Sequence, residues 1–215
     1  MTERLKIIFD NIPNCSVFAD VGCDHGYIAK AMLVSGKAQK VIASDISAKC
    51  LEKAEEILVK EIKQGSAVCV VSNGFEKILF CDVALIAGMG GEEISTIINS
   101  AKNLPNMLVI QPMKNCDKAR LCAVKAGYRV KKDFVFKSAN KFYDLIVLEK
   151  GEDNLSQEEI EFGRTNLKEP SSAFVERLER EIEKLEKYSQ KQGLSPDAKS
   201  EMLDRMEKLK KHVKA

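Results

Sequence analysis

Several features that mark familiar classes of protein are missing from this sequence. No apolar run approaches the roughly 20 residues that a helix needs to cross a bilayer, so we expect no membrane span. The opening stretch, MTERLKIIFDNIPNC, holds neither a long apolar segment nor a small-residue cleavage site, so no export signal is expected either. Both absences favour a cytoplasmic protein that does not contact a membrane.

Paired cysteines are missing as well. The 7 cysteines are scattered singly, with no CxxC pair, which argues against a zinc ribbon and against a dithiol redox site. We therefore expect no metal ion. An odd number of isolated cysteines, in a chain without a visible export signal, suggests reduced thiols in a cytosol.

The loops that usually hold phosphates are also missing. The dinucleotide motif G-x-G-x-x-G is broken, because Asp24 and Tyr27 stand where its later glycines would follow Gly22. Asp20 and Asp24 would also repel a phosphate from the start of the next helix. No GxxxxGK[ST] motif occurs. An NAD oxidoreductase and an NTP-binding protein are therefore both disfavoured.

Up to residue 150 the sequence alternates between apolar segments and helix-like segments. Its 45% apolar and 31% charged residues are the proportions of an ordinary globular protein. Continuous apolar strands separated by helices are typical of a parallel sheet buried on both faces. The strand candidates are 17–21, 41–46, 68–72, 82–87, 107–111 and 143–149, and the helix candidates are 26–35, 47–63, 91–102 and 115–126.

The end of this region differs from the rest. Residues 129–149 contain no intervening helix, so the last two strands are predicted to form an antiparallel hairpin. Such a hairpin is compatible with a doubly wound α/β fold whose sheet is otherwise parallel. The predicted fold class is therefore α/β, with a mainly parallel, seven-stranded type of sheet.

After Gly151 the composition changes, and we predict a division into domains 1–151 and 152–215. Two helices, 170–192 and 195–213, are joined where Gly193 suits a helix end and Pro196 a helix start. Apolar residues recur at spacings of three and four in both helices, which predicts an antiparallel hairpin of coiled-coil type with a solvated charged face. The two stripes are Phe174, Leu178, Ile182, Leu185 and Tyr188, and Ala198, Met202, Met206, Leu209 and Val213.

The stretch VFADVGCDHGYIAK places the carboxylates of Asp20 and Asp24 beside a glycine turn. S-adenosylmethionine would suit such a loop, because it carries a sulfonium, an ammonium and a ribose diol but no phosphate. Asp45 ends the second strand, where α/β nucleoside sites place a carboxylate on ribose hydroxyls, and Asn73 and Gly74 follow the third strand. Each of the aspartates could instead cap a helix, so the evidence is their shared position at the strand ends.

At these residues the chain resembles a known family, the bacterial tRNA (adenine-22-N1)-methyltransferases. The Asp-His pair after a D-x-G turn, together with GMGG after the fourth strand, is a specific combination. The resemblance covers nearly the whole chain, with Asn73 where many members have Asp and Met113 where some have Asn. The matching segments are IPNCSVFADVGCDHGYIA (12–29), IASDI (42–46), IAGMGG (86–91), LVIQP (108–112) and KFYDLIVLEKG (141–151).

The resemblance implies a class I S-adenosylmethionine-dependent methyltransferase with a Rossmann-like domain and a C-terminal coiled-coil domain. It implies methylation of N1 of adenine 22 in tRNA, by direct in-line attack of N1 on the sulfonium methyl. We expect Asp24 and His25 to be catalytic. The expected cofactor-binding residues are Asp20, Gly22, Cys23, Gly26, Asp45, Ile46, Asn73, Gly74 and Gly88, and the expected substrate-binding residues are Tyr27, Met89, Gly90, Gly91, Gln111, Pro112, Lys114, Arg129, Lys131 and Lys132.

A tRNA partner requires a positive surface and extrusion of the target base from its stack. Residues 1–150 carry 21 basic and 17 acidic side chains, and a basic band runs from Lys114 to Lys141. We expect this band to lie beside the pocket and to contact phosphates, although an ordinary solvated surface would show the same composition. A monomer is expected, with a weak dimer through the helical arm as an alternative.

Two other functions remain open from the residues alone. A small-molecule methyltransferase could use the same fold, since a fold does not determine a substrate. A non-catalytic RNA-binding protein could have kept the fold and lost the cofactor. The basic band argues against the first, and the aspartate and glycine positions argue against the second.

Overall fold

The computed structural model describes residues 1–191 and 194–213. Within them, strands and helices alternate up to residue 150, and helices follow. The strands are β1 (Cys15–Val21), β2 (Ala38–Asp45), β3 (Ala67–Val71), β4 (Val83–Met89), β5 (Met107–Pro112), β6 (Tyr128–Ser138) and β7 (Lys141–Lys150). The helices are α1 (Glu3–Asp10), α2 (Tyr27–Val34), α3 (Ala48–Lys63), α4 (Gly91–Ser100), α5 (Cys116–Lys125), α6 (Gln157–Phe162), α7 (Arg164–Lys168), α8 (Ser172–Ser189) and α9 (Pro196–Val213).

The seven strands form one sheet in the order β3-β2-β1-β4-β5-β7-β6. Strands β1 to β5 pair in parallel, while β7 pairs antiparallel with both β5 and β6. Ala139 and Asn140 connect β6 to β7 with φ angles of 46° and 62°, a left-handed pair that suits a tight two-residue hairpin. The predicted mainly parallel α/β sheet and its terminal hairpin are both confirmed.

The core lies on both faces of the sheet, as the continuous apolar strands predicted. In β4 the residues from Val83 to Ile86 are all buried, because helices cover the strand from either side. One apolar cluster contains Ile8 of α1 and Leu58 of α3. The other contains Ile94 of α4 and Ala123 of α5. This double cover leaves the ends of the strands as the place where polar side chains can gather.

Three helices were not predicted from the sequence. Helix α1 begins at a Thr2 side chain that accepts a hydrogen bond from the Leu5 amide. Helices α6 and α7 follow β7 and are held to the sheet by Asp133, a fully buried residue of β6. Its carboxylate accepts hydrogen bonds from the backbone amides of Arg164 and Thr165 at 3.1 and 2.8 Å.

The two long C-terminal helices were predicted, with boundaries a few residues wider than those of α8 and α9. The proposed helix end at Gly193 lies outside the described residues. Phe174, Leu178 and Ile182 of α8 are buried with Leu209 of α9 and with Val135 of β6, so the helices also rest on the edge of the sheet. Ion pairs between the two helices join Arg205 to Glu181 and Lys210 to Glu186.

One residue of the predicted apolar stripe in α8 is not buried between the two helices. Tyr188 is 51% exposed, so it does not belong to the buried seam. The coiled-coil geometry of the pair stays a prediction. Across residues 1–191 and 194–213, no helix is both long and apolar enough to cross a bilayer.

Candidate active site

A cavity of about 750 Å³ opens at the carboxyl ends of β1, β2 and β4. Small-molecule sites in open α/β sheets occupy this position, and the volume is within their usual range. Eight residues that we predicted to bind a cofactor line the cavity: Asp20, Gly22, Cys23, Asp45, Ile46, Asn73, Gly74 and Gly88. Gly26 does not line it. Gly26 starts α2 with a φ of 69°, and a Cβ there would lie 3.0 Å from the Cβ of Ala54.

Four backbone amides of the glycine loop after β1 donate hydrogen bonds within the protein. Gly22 and Cys23 both donate to the carbonyl oxygen of Ser44, at 2.8 and 2.9 Å, and Gly26 donates to the carbonyl of Cys23. The Asp24 amide donates to Oδ2 of Asp45 at 3.2 Å. A phosphate-binding loop needs such amides free to point at its ligand. This loop instead offers carbonyl and carboxylate oxygens, which attract cations and hydroxyl groups.

Asp45 at the end of β2 helps to shape this loop. Its Oδ1 accepts a hydrogen bond from the Ser47 amide at 2.9 Å, while Oδ2 accepts from the Asp24 amide. Ser47 itself provides the side-chain cap of α3 by accepting from the Cys50 amide. Asp45 is therefore not the capping residue of α3. Each carboxylate oxygen has capacity for a second hydrogen bond, and the side chain lines the cavity.

Asp20 at the end of β1 is the buried carboxyl group of the site. It is 5% exposed, and Oδ2 accepts a hydrogen bond from the Ala29 amide at 3.3 Å. Burial raises the pKa of Asp20 to about 7, and the nearby charge of Asp45 contributes to the rise. A cationic group placed against Asp20 would stabilise its ionised form. The site thus favours a ligand with a positive charge at this point.

The wall formed after β2 and β3 is suited to a flat ring. Ile46 lines the cavity with a side chain that is 71% exposed. Asn73, which follows β3, also lines the cavity, and its side-chain amide donates to Oε1 of Glu76 at 3.2 Å. Gly74 has a φ of 58°, and a Cβ there would lie 2.9 Å from the Ile97 side chain. An apolar face beside an amide side chain is a common way to hold a purine.

The proposed catalytic residues lie at the mouth of the same cavity. Asp24 has a φ of 50°, an uncommon conformation for a residue other than glycine, and its side chain is 68% exposed. Nε2 of His25 lies 3.7 Å from Oδ1 of Asp24. The rings of His25 and Tyr27 stack with centroids 5.5 Å apart. Asp24, His25 and Tyr27 all line the cavity, as does Met89 of the predicted substrate set.

Each glycine of the GMGG segment is required by a different feature of the local structure. Gly88 forms a bulge at the end of β4 with a φ of 84°, where the pairing with β5 shifts register. A Cβ on Gly90 would lie 3.2 Å from the side chain of Lys114. A Cβ on Gly91 would lie only 2.0 Å from the carbonyl oxygen of Asn115. Gly91 therefore permits close packing of backbones, and it is buried away from the cavity that it was expected to line.

Arg4 is a cavity residue that the sequence analysis missed. Its guanidinium lies 5.4 Å from the centre of the Tyr143 ring, and its Nε and one Nη donate to Oε1 of Gln111 at 2.9 and 2.5 Å. Gln111 is fully buried, and Nε2 donates to the carbonyl of Pro112. Gln111 and Pro112 were expected to contact substrate, but neither lines the cavity, so Gln111 instead holds Arg4 in place. The Thr2 cap could have revealed α1, but not this contact with β5.

The expected position of the basic band is wrong for Arg129, Lys131 and Lys132. Arg129 pairs with Glu149 across the hairpin, and Glu149 pairs with Met107 at the start of β5. These residues therefore lie at the amino ends of the parallel strands, opposite the cavity. These residues lie far from the cavity because β6 begins at the amino edge of the sheet and reaches the carboxyl edge only near Ser138.

The positively charged groups of these three residues also contact other side chains of the protein. Arg129 and Lys131 both form ion pairs with Glu149, at 2.7 and 3.3 Å. The Lys132 ammonium lies 4.5 Å from the centre of the Phe134 ring. By contrast, Lys114 beside Gly90 and Lys141 at the start of β7 are exposed at the carboxyl edge. In the described part of the chain, no cluster of potential metal ligands is found.

Comparison with known proteins finds a family and individual proteins to which this chain is similar. Residues 18–215 match the family model described as TrmK, tRNA (adenine(22)-N(1))-methyltransferase. A tRNA (adenine(22)-N(1))-methyltransferase of Bacillus subtilis (strain 168) is 25% identical over 235 residues, which cover 99% of this chain and 97% of that protein.

Two solved structures extend the likeness to three dimensions. The structure of M. capricolum TrmK, in complex with the natural cofactor product S-adenosyl-homocysteine, has a TM-score of 0.88 and 27% identity, covering 100% of this chain and 98% of that one. The B. subtilis m1A22 tRNA methyltransferase TrmK has a TM-score of 0.86 and 25% identity, covering 99% and 98%.

Proposed function

This chain belongs to the tRNA (adenine(22)-N(1))-methyltransferase family, and we propose how its residues divide the work of that activity. The enzyme uses S-adenosylmethionine to methylate N1 of adenine 22 in tRNA. When bound, the cofactor supplies a methyl group that its sulfonium has already activated. The protein's own tasks are therefore to hold the cofactor, to orient the base and to keep water away from N1.

The observation that carries this assignment is the hydrogen bonding of the loop after β1. Its amides at Gly22, Cys23 and Asp24 are all used inside the protein, so the loop suits a nucleoside ligand without phosphate. Asp45 accepts the ribose hydroxyl groups, and Asp20 faces the ammonium. Ile46, with Asn73 and Gly74, holds the adenine ring. Gly22 and Gly88, which line the cavity, keep the backbone close to the ligand.

The substrate adenine enters between residues 24–27 and the side formed by Gly88 and Met89. Its N1 carries a neutral lone pair, so no strong base is needed to make it a nucleophile. Tyr27, stacked on His25 and 48% exposed, supplies a flat face for the extruded base. Asp24 lies beside the ring, where its carboxylate stabilises the positive charge that N1 methylation brings. His25 positions Asp24 and contacts the exocyclic amine. Met89 closes the opposite side.

The tRNA backbone binds along the carboxyl edge of the sheet. Lys114 and Lys141 are exposed there. Arg180 of α8, which pairs with Glu176 at 2.7 Å, lies on the same side, 5.1 Å from the centre of the Phe142 ring. The C-terminal helices extend this surface, consistent with a functional division of the chain at residues 151/152. Arg129, Lys131 and Lys132 would contact only parts of the tRNA that reach the far edge. The protein acts as a monomer in the cytoplasm.

The test is incubation with S-adenosylmethionine and unmodified bacterial tRNA, followed by nucleoside mass spectrometry and mapping of the modified position. We expect N1-methyladenosine at position 22. Asp24→Asn should reduce the rate at least tenfold while cofactor binding is retained, since the lost charge acts on the base. Lys132→Ala at the far edge is the matched control. An Asp24→Asn variant with the wild-type rate would contradict the role of the carboxylate.

A further inference from the structure

We propose that strand β3 is a docking edge for a second copy of this chain, which joins it by antiparallel pairing of the two β3 strands about a two-fold axis. Strand β3 ends the sheet on one side, and in the described part of the chain it pairs with β2 alone. One copy holds the whole cavity, so a single chain can carry out methyl transfer, and the paired form is a further state that depends on concentration.

The first reason is that this edge lacks the features that normally prevent strands from pairing. The sequence of β3 is AVCVV, which contains no charged residue and no proline, and its register with β2 is regular throughout. The side chains of Val68 and Val71 are 56% and 40% exposed. A free edge that is uncharged and rich in β-branched residues is a template for another strand.

The second reason is the contrast with β6, the strand at the other end of the sheet. Its pairing with β7 contains a bulge next to Lys131, and charged residues lie along it. Three backbone amides of β6 donate to side chains of the segment that follows β7: Val130 to Asp153, Asp133 to Thr165 and Val135 to Asn166, at 2.8, 3.0 and 3.0 Å. The chain thus covers one edge of its sheet and leaves the other open.

The third reason is the direction of the backbone groups along β3. The Ser66 carbonyl, just before the strand, accepts a hydrogen bond from the Val41 amide at 2.9 Å. The Ser72 amide, just after the strand, donates to the Asp45 carbonyl at 3.0 Å. Both groups therefore point toward β2. Because these directions alternate along a strand, every second residue of β3 points its N–H and C=O groups away from β2.

The residues that point outward are Ala67, Cys69 and Val71. Among the described residues, none donates to or accepts from their outward backbone groups. Facing residues of an antiparallel pair can exchange both hydrogen bonds when their backbone groups point toward each other. Rotation by 180° about an axis at Cys69 places Cys69 opposite Cys69 of the other copy, and Ala67 opposite Val71. The pattern is therefore complementary to itself, which selects a second copy as the partner.

The same rotation brings the two α3 helices side by side on one face of the joined sheet. Burial raises the pKa of the Cys69 thiol to about 11, and the charge of Glu55 adds to the rise, so Glu55 of α3 lies close to Cys69. Val59 and Ile62 are exposed on the same face of α3 as Glu55, and they extend the apolar contact beyond the strand. The two Glu55 carboxylates approach each other near the axis, which weakens the pairing at low salt.

The inference is tested by sedimentation equilibrium of the full-length protein, from micromolar to millimolar concentration. For the wild type we expect a reversible equilibrium of monomer and dimer with weak affinity, because a short strand and the flank of one helix form a small interface. Cys69→Pro removes an amide that the sheet itself does not use, a substitution that an edge strand tolerates. It should raise the dissociation constant at least about tenfold, whereas Cys69→Ala, which keeps the amide, should leave it unchanged.

Two further variants test the geometry without a change in the backbone. Val68→Lys places a positive charge on the exposed side of the strand in both copies and should also raise the dissociation constant. Glu55→Gln removes the like charges near the axis and should lower it, and the wild type should associate more tightly as salt is added. Calorimetry with S-adenosylhomocysteine checks that each variant keeps the folded cavity.

Amide hydrogen exchange, measured by NMR, locates the contact. The amides of Ala67, Cys69 and Val71 should exchange quickly in dilute protein and become protected as the dimer forms, while those of Val68 and Val70 should be protected at every concentration. A wild type that stays monomeric up to millimolar concentration refutes the inference. A dimer that neither Cys69→Pro nor Val68→Lys weakens refutes it as well, because such a dimer forms through another surface, such as α8 and α9.

Discussion

The placement of the tRNA along one edge of the sheet can be tested by comparing two pairs of lysines. Lys114 and Lys141 are exposed at the carboxyl edge, next to the cavity. Lys131 and Lys132 are exposed at the amino edge, where Lys131 pairs with Glu149. The double variants Lys114→Ala/Lys141→Ala and Lys131→Ala/Lys132→Ala each remove two positive charges. Any difference between them therefore reports position rather than net charge.

The expected magnitude follows from counterion release. Each phosphate contact contributes about 0.7 to 0.9 to the slope of log affinity against log salt concentration. Loss of two contacts should reduce the slope by about 1.4 to 1.8, which at 0.1 M salt corresponds to roughly 25- to 60-fold weaker binding. For the far-edge pair we expect a slope change near zero, because its charges lie on the side of the sheet away from the bound base.

The assay is fluorescence anisotropy of labelled, unmodified tRNA, titrated at several salt concentrations with S-adenosylhomocysteine present. Calorimetry with S-adenosylhomocysteine alone should give the wild-type affinity for both double variants, which shows that the fold is intact. An equal loss for the two pairs would refute the assignment of the tRNA to the carboxyl edge. A larger loss for Lys131→Ala/Lys132→Ala would place the substrate across the amino edge instead.

Three other perturbations test the site and its support. Asp45→Ala should weaken cofactor binding by at least tenfold and tRNA binding much less, because the ribose loses a charged acceptor; an equal loss of both would contradict this role. Burial raises the pKa of Asp20 to about 7, and only the ionised carboxylate attracts the cationic group of the cofactor. Cofactor affinity should therefore fall as the pH drops below 7, by at most about tenfold per pH unit. Asp20→Asn should bind the cofactor weakly, and calorimetry should show an affinity that does not change with pH. Truncation after Gly151 should lower the melting temperature sharply. The reason is that Asp133 and its fully buried partner Arg120 would lose their hydrogen bonds to α6 and α7. An unchanged melting temperature would show that the stability of the sheet does not depend on α6 and α7.

The fold was predictable because its signals are local. Apolar strands such as VFADV alternate with amphipathic helices, and this period identifies a parallel sheet buried on both faces without knowledge of any contact. The parallel arrangement then brings the carboxyl ends of β1, β2 and β3 to one edge. Asp20, Asp45 and Asn73 could be grouped into a site for the same reason, and all three line the cavity.

The structure differs from the sequence-based predictions where the position of a residue depends on a contact with a residue far along the chain. Gly91 looked like a bare surface for a base, but it faces the backbone of Asn115, a contact that only the packing of α4 against the β5–α5 turn creates. The basic band looked continuous from Lys114 to Lys141. The hairpin folds it across the whole width of the sheet, so its members lie at opposite edges.

The sequence by itself determined the layered α/β architecture, the strand ends that form the site and the absence of a phosphate-binding loop motif. These depend on side-chain period and on motifs within a few residues of one another. Only the tertiary structure decided that Arg4 reaches the cavity, because its guanidinium is held by Gln111, which lies 107 positions further along the chain. Local periodicity carries no information about such a pair, since the contact exists only when α1 and β5 have packed together.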